Sequence, residues 1–70
     1  MNLETVSKWV DEKGPDHTDW TTELVDKTIT HYSCNGAVFI MVDTGSERTF
    51  YFEAVHDIFN LLNDESKVAD

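Results

Sequence analysis

Two β-rich runs, THYSC (30–34) and AVFIMV (37–42), are joined by the dipeptide Asn35-Gly36. A type I′ turn needs positive φ at both central residues, which Asn and Gly adopt most readily. Asn-Gly between such runs is therefore the strongest short-range hairpin signal. A two-residue turn also fixes the register: Cys34 faces Ala37, Tyr32 faces Phe39 and Thr30 faces Met41. A second reversal at TGSE (44–47) sets Phe50 beside Met41, Phe52 beside Phe39 and Arg48 opposite Asp43. The result is a three-stranded antiparallel meander with Ala37–Val42 in its centre.

On either side of the meander the hydrophobic period lengthens to that of a helix. Residues 2–14, NLETVSKWVDEKG, place Leu3, Val6, Trp9 and Val10 on one face, with Asn2 as cap and Gly14-Pro15 as stop. Glu4 and Lys8 form a favourable i, i+4 pair on the opposite side. Residues 53–64, EAVHDIFNLLND, predict a closing helix with Ala54, Val55, Ile58, Leu61 and Leu62 as its apolar face. Glu53 stands near its positive end. The tail 65–70, ESKVAD, is expected to fray. Between the first helix and the meander lies PDHTDWTTELVDK (15–27). Trp20 and Leu24 fit one helical face there, but Thr21-Thr22 and the Thr and Ile that follow favour an extended segment entering a strand near Thr22. The expected fold class is α+β: one small domain over residues 1–70, in the order α-β-β-β-α, with helices packed on the meander.

Period-two alternation sorts the meander's side chains onto two faces. Tyr32, Phe39, Met41, Phe50 and Phe52 share one, while Ile29, Val38, Ile40, Val42 and Tyr51 share the other. Antiparallel sheets commonly leave one face wet and alternate apolar with polar; this one does not. Two arrangements would cover it. The helices could sit on opposite faces, or both could sit on the aromatic face with a second subunit on the aliphatic one. A domain of this size has a marginal core and gains most from a partner. A homodimer through Ile29, Val38, Ile40, Val42 and Tyr51 is therefore expected.

Cys34 is the only cysteine, so no internal disulfide supplements the core; a free thiol on an apolar strand reads as a small core residue and suits a reducing cytosol. MNLETVSKWV lacks the basic start and apolar core of a signal peptide, and no apolar run nears the ~20 residues of a membrane span. A soluble, cytoplasmic protein is expected.

The residues argue against an enzyme. His17, His31 and His56 lie far apart and match no metal-ligand spacing, so no metal or other cofactor is expected. No pair of carboxylates stands out from the general acidity as a general acid and base. Gly14, Gly36 and Gly45 are absorbed by a helix stop and two turns, which leaves no phosphate-cradling loop.

Charge remains. Fourteen Asp and Glu face five Lys and Arg, for a formal net charge of −9, yet 40% of residues are hydrophobic, so the chain folds rather than staying disordered. A field of this sign repels nucleic acid and anionic membranes and attracts basic surfaces. Asp11 and Glu12, and Asp64 and Glu65, crowd the C-terminal ends of the two helices, where the macrodipole disfavours each by about 0.3–1 kcal/mol. Asp16, Asp19, Glu23 and Asp26 add to them against Lys27 alone. Acidity kept at some cost in stability is expected where the charge itself is functional.

In size, charge and α/β make-up the whole chain resembles phage-encoded inhibitors that mimic DNA and occupy the nucleic-acid site of a host protein. The resemblance carries over no individual residue. It implies a basic host DNA-binding protein as partner, rows of carboxylates in place of phosphates, and the host cytoplasm as location. A nucleoid-associated protein of the HU type comes first among targets, because a twofold dimer suits a dimeric target. The alternative is an interaction or dimerisation module, housekeeping or antitoxin-like, whose acidic surface is only solvated.

Overall fold

In the computed structural model, which describes the backbone of residues 3–69 and the side chains of residues 3–62, a meander of strands runs between two helices. Helix α1 (Leu3–Lys13) ends in a 3-10 turn (Gly14–His17) that leads into β1 (Thr18–Glu23). Strands β2 (Thr28–Cys34), β3 (Ala37–Asp43) and β4 (Arg48–Phe52) follow, and α2 (Val55–Ala69) closes the chain. The sheet order is β1-β2-β3-β4, antiparallel throughout. The fold is α+β, with four strands rather than three.

The extra strand is the main correction. The chain is already extended at Thr18, and Thr21, Thr22 and Glu23 pair with Thr30, Ile29 and Thr28. Both central strands, β2 and β3, are therefore flanked on each side. All six β1 residues are exposed, so no alternation of burial marks the strand in the sequence. Its hairpin tip, Val25-Asp26, closed by Leu24 N–H donating to Lys27 O at 2.8 Å, also lacks the usual turn residues.

The other two hairpins form as the turn chemistry requires. Asn35 (φ 52°) and Gly36 (φ 87°) both lie in the left-handed region, and β2 and β3 pair from Cys34↔Ala37 through Tyr32↔Phe39 to Thr28↔Asp43. At the second reversal Thr44 N–H donates to Glu47 O (3.0 Å) and Gly45 N–H to Asp43 Oδ1 (2.8 Å). Phe52 pairs with Phe39, Phe50 with Met41 and Arg48 with Asp43.

Both helices lie on the aromatic face. Val6, Trp9 and Val10 of α1 and Leu61 of α2 form one buried cluster with Tyr32, Cys34, Ala37, Phe39 and Met41. Phe39 is its centre: its ring stacks on Tyr32 (5.0 Å) and Phe52 (4.6 Å) and meets Trp9 edge-on (5.8 Å). Aromatic pairs at these separations add roughly 0.5–1.5 kcal/mol each beyond area burial. Trp9 is wholly buried, and its indole N–H has no acceptor in reach among the described residues. Gly14 lets the chain pass close under the sheet, since a Cβ there would stand 3.0 Å from Tyr32 Cε1. Burial raises the Tyr32 phenol above its ordinary pKa.

The closing helix differs from the reading at both ends. It begins at Val55 rather than residue 53, so Ala54 and Glu53 precede it, and Val55 is exposed, as is Phe59. Helical backbone continues through the expected tail as far as Ala69. Asn2 and the Asp64 and Glu65 side chains lie outside the described residues.

Candidate functional site

The acidic residues expected to meet a partner are spread over several elements. Asp16, Asp19, Glu23 and Asp26 recur at helical steps, but the chain there is not helical. Asp16 lies in the 3-10 turn, Asp19 and Glu23 on β1, and Asp26 at the β1–β2 tip. Glu12 lies in the last turn of α1 and is exposed, like Asp16, Glu23 and Asp26. Glu47, exposed in the β3–β4 turn, joins this set. Among the described residues no salt bridge reaches any of these five.

Two of the anticipated acids instead have structural duties. Asp11 Oδ1 meets Arg48 Nη2 at 2.8 Å, while Arg48 Nε lies 3.5 Å from Asp43 Oδ2 and Nη1 donates to Ser7 Oγ at 2.8 Å. The only arginine thus ties α1 to the β3–β4 hairpin, and its hydrogen bond to Asp11 raises the pKa of the guanidinium further.

Asp19 belongs to the uncovered face of the sheet. Pairing slips between Thr18↔Tyr32 and Trp20↔His31, which leaves Asp19 as the extra residue of a β-bulge. The bulge puts two successive side chains onto His31. Asp19 Oδ2 is 2.7 Å from His31 Nδ1, and the Trp20 ring stacks on the imidazole at 5.3 Å, 18° from parallel. Ser33 Oγ donates to the same carboxylate oxygen at 2.7 Å. The Ser33 hydroxyl, then His31, hold the Asp19 carboxyl below its ordinary value. Chemically this is a clamp. In a nucleophilic relay the hydroxyl bonds the imidazole on the side away from the carboxylate, whereas Ser33 bonds the carboxylate itself.

Cross-strand neighbours extend the surface. Trp20, His31, Ile40 and Tyr51 form one row across all four strands, and Thr22, Ile29, Val42 and Thr49 the next. Ser33 and Val38 continue the same face. Ile29, Val38, Ile40 and Val42 are only partly covered, by their neighbours in the sheet, and Tyr51 is 59% exposed. A shallow groove of about 200 Å³ runs between His31, Val38, Ile40, Tyr51 and Glu53. The five aliphatic-face residues expected to share a surface therefore do so. Sequence reasoning missed His31, which period-two alternation from Ile29 already sets on this face, and Trp20, whose place follows only once β1 and its bulge are known.

The remaining histidines are separate. His17 stacks on Trp9 (5.5 Å) with Nε2 3.8 Å from the buried Cys34 Sγ, and exposed His56 contacts Asn60 (3.2 Å). Among the described residues no group of three His, Cys, Asp or Glu is placed to hold a metal ion. No described helix is long and apolar enough to cross a membrane. Comparison with protein families, with curated proteins and with solved structures finds no match to this chain.

Proposed function

We propose that this chain is a non-enzymatic acidic binding protein that inhibits a basic nucleic-acid-binding protein by presenting carboxylates in place of DNA phosphates. The observation that carries the reading is the separation of its charges. Glu12, Asp16, Glu23, Asp26 and Glu47 are exposed without ion-pair partners among the described residues, while the one arginine is consumed internally by Asp11 and Asp43. With a formal charge of −9, the outward field is strongly negative, and a Lys- and Arg-rich groove is the surface it favours. A nucleoid-associated target of the HU type, itself dimeric, is preferred because a twofold inhibitor would match its symmetry. The second reading, an interaction module whose acids are merely solvated, draws its support from the open sheet face.

Replacing Glu12, Asp16, Glu23 and Asp26 together by their amides separates the two. Exposed ion pairs contribute about 0.2–1 kcal/mol each, so four together amount to roughly 0.8–4 kcal/mol, or about fourfold to a thousandfold in affinity. The variant is expected to bind an HU-type protein at least about fourfold more weakly while melting no lower than wild type, because self-repulsion is relieved. DNA should displace the wild-type protein from that target. Simultaneous binding of DNA and this protein to one target would overturn the proposal.

A further inference from the structure

The meander has two apolar faces, and both helices cover the same one. On the other, the Trp20–His31–Ile40–Tyr51 row crosses the full sheet with Ile29, Val42 and Val38 beside it. We infer that this open face is closed by a second copy of the chain, sheet against sheet, in a symmetric dimer whose edges are Trp20 and Tyr51. The inference does not depend on the identity of the basic target.

Three observations select a second copy over a basic partner. The first is charge. The chain carries −9, but on this face Asp19 is already paired with His31 and bonded by Ser33. Glu53, at the rim of the groove, is the other carboxylate there. Nothing in the centre of the face calls for a cation: its two carboxylates lie at the margins, Asp19 on the edge strand and Glu53 at the groove rim, and two copies would meet through the uncharged rows between them.

The second is area. Four strands about 4.8 Å apart, with roughly six residues rising about 3.4 Å each, make a face of about 19 by 20 Å, or about 400 Å² in plan. Two such faces remove about 800 Å² in plan, and side-chain relief lifts the accessible area past the roughly 1,000 Å² at which specific interfaces begin. An interface at this small end of the range suits a reversible dimer, in keeping with a protomer that already has its own core.

The third is symmetry. The face has an aromatic side chain at each edge of one row, with His31 and Ile40 between. A twofold axis parallel to the strands, midway between β2 and β3, lays β1 of each copy over β4 of the other. Trp20 then packs on Tyr51 of the second copy at both edges, with His31 and Ile40 in the middle. Sheets packed in this way lie about 10 Å apart at about −30°. The Asp19 clamp suits burial, because an unpaired carboxylate there would be costly to desolvate.

Sedimentation equilibrium of the full chain across micromolar concentrations tests this. The expected result is a reversible species of 2 × 8.0 = 16.0 kDa. Its association should strengthen as salt rises, because screening acts on like-charged copies. Salt should weaken the complex with a basic target, so the two interactions respond in opposite directions. Trp20→Ser and Tyr51→Asp, both at exposed positions, should each weaken the dimer about tenfold or more. NMR signals of Trp9, Tyr32 and Phe39, whose cluster lies on the opposite face, should stay unchanged. A single 8.0 kDa species at every concentration and salt would overturn the inference. So would a dimer of undiminished strength in both variants. Should either variant lose its fold, the wild-type mass and salt series decide alone. If the monomer still binds an HU-type protein and is displaced by DNA, the dimer fails while the proposed function stands. If Tyr51→Asp abolishes that heterocomplex in a chain that stays monomeric, the face belongs to the target and the inference again fails.

Discussion

Phe39 and Ile40 are neighbours on β3, yet they live in different environments. Phe39 is 1% exposed and touches rings from α1, β2 and β4, whereas Ile40 lies on the face that no helix covers. The two faces of one sheet are comparably apolar by composition but not by coverage. Hydrophobicity on a strand therefore reports that a surface wants covering, and only the placement of the helices tells which surface the chain covers by itself. Here α1 and α2 spend their apolar faces on the aromatic side, where Trp9 and Leu61 are fully buried.

The largest expected effect breaks or confirms that contrast directly. Phe39→Ala removes the ring around which the cluster is built and should cost about 3–5 kcal/mol, a large share of the stability of a small domain. Ile40→Ala, measured at submicromolar concentration where copies are apart, should cost less than half as much. Urea denaturation of both variants is the check. Equal losses would mean that the open face is packed within the monomer.

A smaller effect probes how tightly the covered face is closed. Gly14→Ala places a methyl group 3.0 Å from Tyr32 Cε1 and 3.4 Å from Val10 Cγ1, where a ring wedged between α1 and β2 must give way. Overpacking of this kind costs typically about 1–3 kcal/mol. The loss should appear in thermal melts with the Trp9 near-UV signal altered. No loss would show that the entry to β1 is looser than the helix-covered face elsewhere.

These contrasts also mark where the sequence is legible. The β2–β3 and β3–β4 hairpins could be read with their register because Asn35-Gly36 and TGSE leave few backbone choices. Strand β1 could not, because Thr18–Glu23 is exposed on both sides and its tip, Val25-Asp26, carries no special turn chemistry; only the β-branched Thr21-Thr22 hinted at it. The bulge at Asp19 is a matter of pairing register, and it turned an acid expected to face a partner into a clamp on His31. Asp11 was likewise read as outward charge, while its ion pair with Arg48 joins segments distant in the chain. The placement of both helices on one face stayed open for a similar reason, since the periodicity of a helix names its apolar side but not the surface that side meets.

The smallest effect concerns the uncovered face and has a defined sign. Asp19 has its folded pKa lowered from 3.8, chiefly by the Ser33 hydroxyl and next by His31. A carboxylate whose folded pKa is depressed contributes stability that is fully present above its unfolded value and is lost as pH falls through the folded value. Wild type should therefore melt slightly above Asp19→Asn through pH 5–7, and the gap should close as pH drops below about 3.8. Other carboxylates titrate in both proteins and largely cancel in the difference. The plateau does not rest on His31 alone, because the Ser33 O–H donates to Asp19 as well. Since Ser33 is the larger cause, Asp19→Asn should matter less in a Ser33→Ala background, and the double-mutant cycle reads that coupling. A melting difference that persists unchanged at low pH would mean that Asn disturbs the bulge by shape. In that case the clamp on the open face is held by the backbone of β1 rather than by the charge of Asp19.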